Sequence, residues 1–143
     1  HSGFELRFGD EASIFGLLRI TLAIYMNVPM TSMSHALRAA VVSSLLGRTL
    51  RGGAVELTHE LNARGQYISA SPLHPVSTAT SVRIRQGKRL ITDGPFAETR
   101  EFLGGYYMIY ARDLNEAISV AAKHSGARVG TVEVRRLFEL PNL

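Results

Sequence analysis

The stretch Arg89–Tyr107, RLITDGPFAETREFLGGYY, carries the strongest signals in this chain for its strands and for a candidate site. An apolar strand end runs into the turn-forming residues 93–95, which stop the strand. A pair of glycines, Gly104-Gly105, then lets backbone segments approach closely, and the aromatic run Tyr106–Tyr110 predicts a second strand. A loop with two carboxylates and a guanidinium between two strands is a candidate site. The alternative is a solvated loop in which Asp93 caps its own turn.

Other motifs accompany this stretch in a fixed order. They are PLHP at 72–75, STATSVRIR at 77–85, RDLNEA at 112–117 and GTVEVR at 130–135. With DGPFAET and LGGYY, they make the chain resemble the DGPF group of YCII-related proteins over about residues 57 to 140. The resemblance implies a ferredoxin-like α+β protein that pairs as a dimeric barrel. It does not imply a reaction, because the reactions of that family are mostly unassigned.

Composition narrows the class of protein. The chain has 143 residues, 45% of them hydrophobic, which suits one domain (1–143) with residues 1–18 as a loosely attached extension. It has no cysteine, which excludes disulfides and thiolate chemistry and predicts a cytoplasmic location. The apolar segment 14–26 is too short to cross a bilayer, so we expect no membrane partner. A net charge of +4 argues against a dedicated nucleic-acid binder.

Hydrophobic periodicity and element order predict an α+β fold: a ferredoxin-like antiparallel sheet with helices on one face and an inserted β-hairpin. The resemblance to YCII-related proteins implies that two such chains pair as a dimeric α+β barrel. The expected helices are 35–46 and 54–64, separated by glycines 47, 52 and 53, followed by a helix from Asp113 to residue 124. The expected strands are 19–26, 66–70, 78–85, 88–92, 105–110 and 131–137.

The last helix carries the clearest local signals. Asp113 is the predicted N-cap, and Glu116 completes a capping box. Ser125-Gly126 is the predicted end of this helix. We expect its buried stripe to consist of Ala117, Ile118, Ala121 and Ala122.

The strands predict a homodimer. Leu22 and Ile24 are apolar on one face of the first strand, and Ala23 and Tyr25 are apolar on the other. A strand buried on both sides shows this pattern. Two helices cover only one face of a sheet, so the second face is predicted to pack against another copy.

Ionisable residues near strand ends form the candidate site. His74 is a candidate acid or base, Asp93 a candidate partner for it, and Tyr106 a candidate donor to an oxyanion. The predicted substrate-binding residues are Arg83, Glu98, Arg100 and Glu133. These residues also have purely structural interpretations. In one, His74 forms hydrogen bonds to the backbone, and in another, Arg83 and Glu133 form a cross-strand ion pair.

Two functions remain open at this point. The first is a proton-transfer enzyme, of lyase or isomerase type, acting on a small anionic ligand. The second is a non-catalytic metabolite-binding or accessory module linked to transcription regulation. We expect no cofactor and no metal, because the sequence lacks the corresponding motifs. The His–Asp pair of related YCII-type enzymes has its histidine early in the chain, and no residue here matches it. Residues 83, 85, 88 and 89 form a basic cluster that is typical of a solvated face.

Overall fold

The computed structural model describes residues 16–27, 47–97 and 100–141. These residues form two antiparallel sheets and three helices. A four-stranded sheet has the order β2-β5-β1-β6, and β3 pairs with β4 in a separate two-stranded sheet. This α+β arrangement is consistent with the predicted ferredoxin-like fold. The elements, in chain order, are β1 (Leu18–Asn27), α1 (Gly47–Ala63), β2 (Tyr67–Pro72), a 3-10 turn (Val76–Thr78), β3 (Thr80–Arg85), β4 (Lys88–Asp93), β5 (Glu101–Ala111), α2 (Leu114–Lys123), α3 (Gly126–Val129) and β6 (Gly130–Arg136).

The hydrophobic core lies between the four-stranded sheet and the helices. Along β1, alternate residues from Ile20 to Met26 are buried, because side chains of a strand point to opposite faces. Leu57 and Leu61 of α1 pack on this side, with Ala117, Val120 and Ala121 of α2. We call this side of the sheet the inner face. The opposite side is the outer face, where the β1 side chains are only half-buried.

The double glycine forms a β-bulge inside β5. The β1–β5 register shifts between Ile24 and Tyr25, opposite Gly105 and Leu103. A Cβ on Gly105 would lie 2.9 Å from the Ser71 carbonyl oxygen, so only glycine fits there. The strand therefore begins at residue 101, four residues earlier than the sequence predicted, because the glycines bend the strand and do not end it.

Helix α1 runs through two glycines that were predicted to break it. That prediction was wrong: Gly52 and Gly53 lie inside the helix. A Cβ on Gly53 would lie 3.2 Å from the Ser125 Cβ, so this glycine lets α1 approach the segment after α2. Gly65 follows the helix with φ +70°, the left-handed conformation predicted for it. The predicted helix 35–46 lies outside the described residues.

The start of α2 confirms Asp113 as the N-cap, since its carboxylate accepts the Glu116 N–H at 2.8 Å. The Glu116 carboxylate does not complete the predicted box; it accepts from the Arg112 backbone N–H at 2.6 Å and from the Arg112 guanidinium. The Arg112 N–H is the main cause that lowers the pKa of Glu116.

The predicted buried stripe of α2 was wrong at two positions. Ile118 is 50% exposed and Ala122 is exposed, whereas Val120 is buried. The stripe runs 117, 120, 121 and 124, so it follows the i, i+3, i+4, i+7 pattern toward His124. Helix α2 ends at Lys123, just before the predicted terminator Ser125-Gly126, and the short helix α3 then begins at Gly126.

Candidate functional site

The DGPF turn is tied to the strand beside it. Asp93 ends β4 and its side chain is exposed. Gly94 adopts φ +92° and its N–H donates to the Ala79 carbonyl at 2.7 Å. The Ser81 hydroxyl donates to the Gly94 carbonyl at 2.9 Å. The turn is therefore held by its own chain at the base of the β3–β4 pair.

Arg83 supports the same loop. Its guanidinium donates to the Phe96 carbonyl at 3.2 Å, and the side chain is exposed. The alternative pairing of Arg83 with Glu133 was wrong, because β3 and β6 lie in different sheets. Arg100 is exposed just before β5, and Glu98 lies outside the described residues.

His74 lies at a corner of the four-stranded sheet. Two residues before it, Pro72 ends β2 opposite Gly105, and the Leu73 N–H donates to the Gly104 carbonyl at 2.9 Å. The imidazole is exposed. His74 thus sits at the rim of the sheet beside the β5 bulge.

Tyr106 and Glu133 share one row of the outer face. In the β1–β5 register Tyr106 is opposite Ala23, and in the β1–β6 register Glu133 is opposite the same alanine. Ser71 of β2 continues the row beyond Tyr106. The sheet therefore brings together two predicted site residues that are 27 positions apart in the sequence.

The shape of this row follows from side-chain size. Ala23 is much smaller than the two residues that flank it, so we infer a shallow depression between them with Ala23 as its floor. Tyr25 lies on the same face at one end of the depression, and Thr21 lies at the other. We call this feature the Ala23 depression, with Tyr106 and Glu133 as its walls.

A cation lies beside the acidic wall. The Arg135 guanidinium is 3.8 Å from the Glu133 carboxylate, and both side chains are on the outer face. Arg135 is 77% exposed at its side chain, so most of its hydrogen-bonding capacity faces solvent. The alternation of Glu133 and Arg135 along β6 was the signal that could have identified this second residue.

A buried polar cluster on the inner face was missed by the sequence reasoning. The Tyr107 hydroxyl donates to the Ala54 carbonyl at 2.9 Å and lies 3.0 Å from the Thr58 hydroxyl. The buried His124 ring packs edge-on against Tyr107, and its Nδ1 accepts the Gly126 N–H at 2.9 Å. Burial raises the pKa of Tyr107 and lowers the pKa of His124.

This cluster is structural in character. Its groups bond to the backbone of α1 and to the start of α3, and they have little contact with solvent. The apolar alternation along β5 predicted a buried Tyr107, but the partners of its hydroxyl come from a helix about fifty residues away.

None of the predicted site residues lines either of two surface cavities formed by the described residues. One has a volume of about 230 Å³, and the other about 260 Å³. The first is lined by Leu17, Arg64, Gly65, Gln66, Tyr110, Arg112 and Glu116. The second is lined by Arg19, Phe138, Glu139 and Leu140.

Within residues 16–27, 47–97 and 100–141, the histidines and carboxylates form no group of three that could hold a metal ion. Over the same ranges, no helix has the length and apolar character needed to span a membrane.

Comparison with known proteins gives two findings. The model of the YCII-related domain family matches residues 38–141. An uncharacterised protein from Rhizobium meliloti strain 1021 is 39% identical over 80 residues, which covers 50% of this chain and 64% of that protein. The region matched by the family model includes Tyr106 and Glu133, the walls of the Ala23 depression, and the DGPF turn. Because the family match extends over most of its length, the chain belongs to the YCII-related domain family.

Proposed function

We propose that two copies of the chain pair through their outer sheet faces, and that the Ala23 depression then becomes an enclosed site for proton transfer on a small anionic molecule. The reaction type is that of a lyase or isomerase. The observation that carries this proposal is the position of Tyr106 and Glu133 on either side of Ala23. We also place the chain in the DGPF group, from its DGPFAET and LGGYY motifs, and in the cytoplasm, from its lack of cysteine.

The dimensions of the depression suit a small ligand. Tyr106 and Glu133 lie two strand spacings apart, which puts their backbones about 10 Å from each other. A carboxylate on one side can accept a proton, and a phenol on the other can donate to the charge that develops. Arg135 beside Glu133 supplies a cation for an anionic group of the ligand.

Pairing supports this chemistry because it removes water. On the outer face of one chain, the Ala23 and Tyr106 side chains are half-buried, so the depression is open to solvent. Electrostatic interactions strengthen when a site is closed from bulk water. In this arrangement His74, which follows the edge strand β2 beside the β5 bulge, is the predicted site residue best placed to contact a ligand entering the seam.

The experiment is a thermal-shift screen with small carboxylates and phosphates, followed by turnover measurements by NMR on each hit. Glu133→Gln and Tyr106→Phe should each reduce turnover about 100-fold, the usual scale for loss of one acid or base. Glu56→Gln, an exposed glutamate on α1, is the matched control and should change nothing. Binding and turnover that survive both substitutions would overturn the proposed site.

A non-catalytic binding module is the second candidate. It is favoured by the DGPF turn, where the carbonyls of Gly94 and Phe96 are bonded by Ser81 and Arg83 of the same chain. Because these carbonyls are already hydrogen-bonded within the chain, the loop is better suited to stabilising the fold than to catalysis. A ligand that stabilises the protein without being converted would favour this module over the enzyme.

A further inference from the structure

The cavity of about 230 Å³ lies at the end of the four-stranded sheet where β1 and β2 begin and β5 ends. Its lining comes from Leu17 before β1, from residues 64–66 between α1 and β2, and from the junction of β5 with α2. Ala23 is opposite Tyr106, and Tyr110 of the lining lies four residues further along β5, so the cavity is about 14 Å from the Ala23 depression. It is therefore separate from the proposed reaction site.

Gln66 is the buried polar residue of this cavity. It is 9% exposed, and its backbone N–H donates to the Leu61 carbonyl at 2.9 Å. Its carbonyl accepts the Tyr110 N–H at 2.8 Å, and its side-chain Nε2 donates to the Tyr110 carbonyl at 3.2 Å. The side-chain amide is held in one orientation, because the reverse orientation would place Oε1 against the carbonyl oxygen of Tyr110.

The other atom of this amide, Oε1, lacks a donor. It is shielded from water, and no described residue donates a hydrogen bond to it. A buried acceptor without a partner is unfavourable, and such groups are rare in folded proteins. Because Gln66 lines the cavity, a ligand that carries a hydrogen-bond donor can supply the missing partner.

Two guanidinium groups lie at the same cavity. Arg64 Nη2 is 2.9 Å from the Glu60 carboxylate, and Arg112 Nε is 3.2 Å from the Glu116 carboxylate. Each of these ion pairs uses one nitrogen of a group that has five N–H donors. The side chains are 56% and 76% exposed, so their remaining donors are accessible to an anion such as a carboxylate.

The charges around the cavity select the kind of ligand. Glu116 also lines it, but one of its oxygens accepts the Arg112 backbone N–H and the other accepts from Arg112 Nε. The cations Arg64 and Arg112 repel an ammonium group, so a hydroxyl is the better donor for Gln66 Oε1. The volume is below the range of about 300–1,000 Å³ that suits drug-sized molecules, which indicates a small organic acid.

We propose that this cavity binds a small hydroxy carboxylic acid, with its carboxylate held by Arg64 and Arg112 and its hydroxyl donating to Gln66 Oε1. The bound acid joins the end of α1 and the start of α2 to the end of the sheet. This inference goes beyond the proposed function and does not depend on it.

Matched ligands test the role of the hydroxyl. The pairs are glycolate with acetate, lactate with propionate, and malate with succinate, titrated into the isotope-labelled protein and followed by NMR. At least one hydroxy acid should bind about tenfold more tightly than its counterpart, which is the scale of one hydrogen bond. Equal affinities within every pair, or no binding by any hydroxy acid, would overturn the inference. Tighter binding of the amino acid alanine than of lactate would overturn the choice of a hydroxyl.

Three variants separate the roles of the lining residues. Gln66→Met removes the acceptor and should abolish the preference for the hydroxy acid, while Arg112→Gln should weaken both members of a pair about tenfold and keep the preference. Arg128→Gln, at an exposed position of α3 near the other end of β1, is the matched control and should change neither. A preference that survives Gln66→Met, or equal effects of Arg112→Gln and Arg128→Gln, would contradict the assignment. The comparison of ligands on the wild type stands even if Gln66→Met does not fold.

The positions of the NMR shifts distinguish this cavity from the Ala23 depression. The inference predicts that the hydroxy acid shifts the backbone amides of residues 64–66 and 110–116, and that Glu133→Gln leaves its affinity unchanged. Shifts confined to Ala23, Tyr106 and Glu133 would overturn this inference and support the proposed function. Shifts at residues 64–66 and 110–116 without turnover of any ligand would support this inference while the proposed reaction fails.

Discussion

Mild acid should destabilise the fold through His124. The side chain is 7% exposed, and its Nδ1 accepts the Gly126 N–H at 2.9 Å, so the bonded ring is neutral and carries its proton on Nε2. Burial lowers the pKa of His124 below its ordinary value. The unfolded chain therefore takes up a proton first as the pH falls. The contribution of His124 is fully present above pH about 6.5 and is lost as the pH decreases toward the folded-state pKa.

The size of the effect follows from proton linkage. The limiting slope is about 1.4 kcal/mol for each pH unit, so the loss between pH 6.5 and 5.0 is at most about 2 kcal/mol. In a chain of this length that corresponds to a fall in Tm of roughly 4–8 °C. Urea unfolding at a series of pH values from 7.5 to 5.0 measures the free energy directly.

Two variants identify the responsible histidine. His124→Asn removes the titrating ring and keeps an oxygen that can accept from Gly126, so its unfolding free energy should depend less on pH than that of the wild type. His59→Gln, at an exposed position of α1, should retain the wild-type dependence. A parallel loss of stability in wild type and His124→Asn between pH 6.5 and 5.0 would refute the reasoning.

Two further outcomes follow from close contacts. Gly130→Ala should destabilise the fold by about 1–3 kcal/mol, because its Cβ would overlap the Tyr25 carbonyl oxygen. Gly52→Ala, in open space on α1, should stabilise it by about 0.5–1 kcal/mol. Urea unfolding measures both changes in free energy, and equal effects of the two substitutions would contradict this reasoning. Tyr107→Phe should cost about 0.5–1.5 kcal/mol near neutral pH, because Thr58 still donates to the Ala54 carbonyl. Since burial raises the pKa of Tyr107, the wild type should lose stability as the pH rises above about 10, and this variant should lose less; an identical alkaline slope would argue against the buried phenol.

Local signals in the sequence predicted the elements well where the structure is decided locally. The β-branched and aromatic residues of β1, the Asp113 cap and the left-handed Gly65 are examples, because each depends on neighbouring residues. Gly53 was misread as a helix breaker, whereas Gly105 was correctly predicted to allow a close backbone approach; in both cases the partner segment is non-local. Gly53 lies inside α1 against Ser125, and Gly105 lies inside β5 against Ser71; neither partner is visible from the sequence.

In the candidate site, too, the sequence predicted the individual residues but not the non-local contacts between them. Tyr106 and Glu133 could each be identified as polar groups on aromatic or alternating strands. Their juxtaposition depends on β1 lying between β5 and β6, which places Ala23 between them. Arg83 could be predicted as a cation of the hairpin, but its bond to the Phe96 carbonyl arises from the fold of the DGPF loop.

The measurement that tests the central claim most directly is the molar mass of wild type and Met108→Glu by light scattering at micromolar concentration. Pairing of the outer faces predicts a wild-type mass of twice the 15.7 kDa chain. It predicts 15.7 kDa for Met108→Glu, with unchanged circular dichroism, because a charge at the centre of the outer face opposes burial. A wild-type mass of 15.7 kDa, or a dimer that persists in Met108→Glu, would contradict the account.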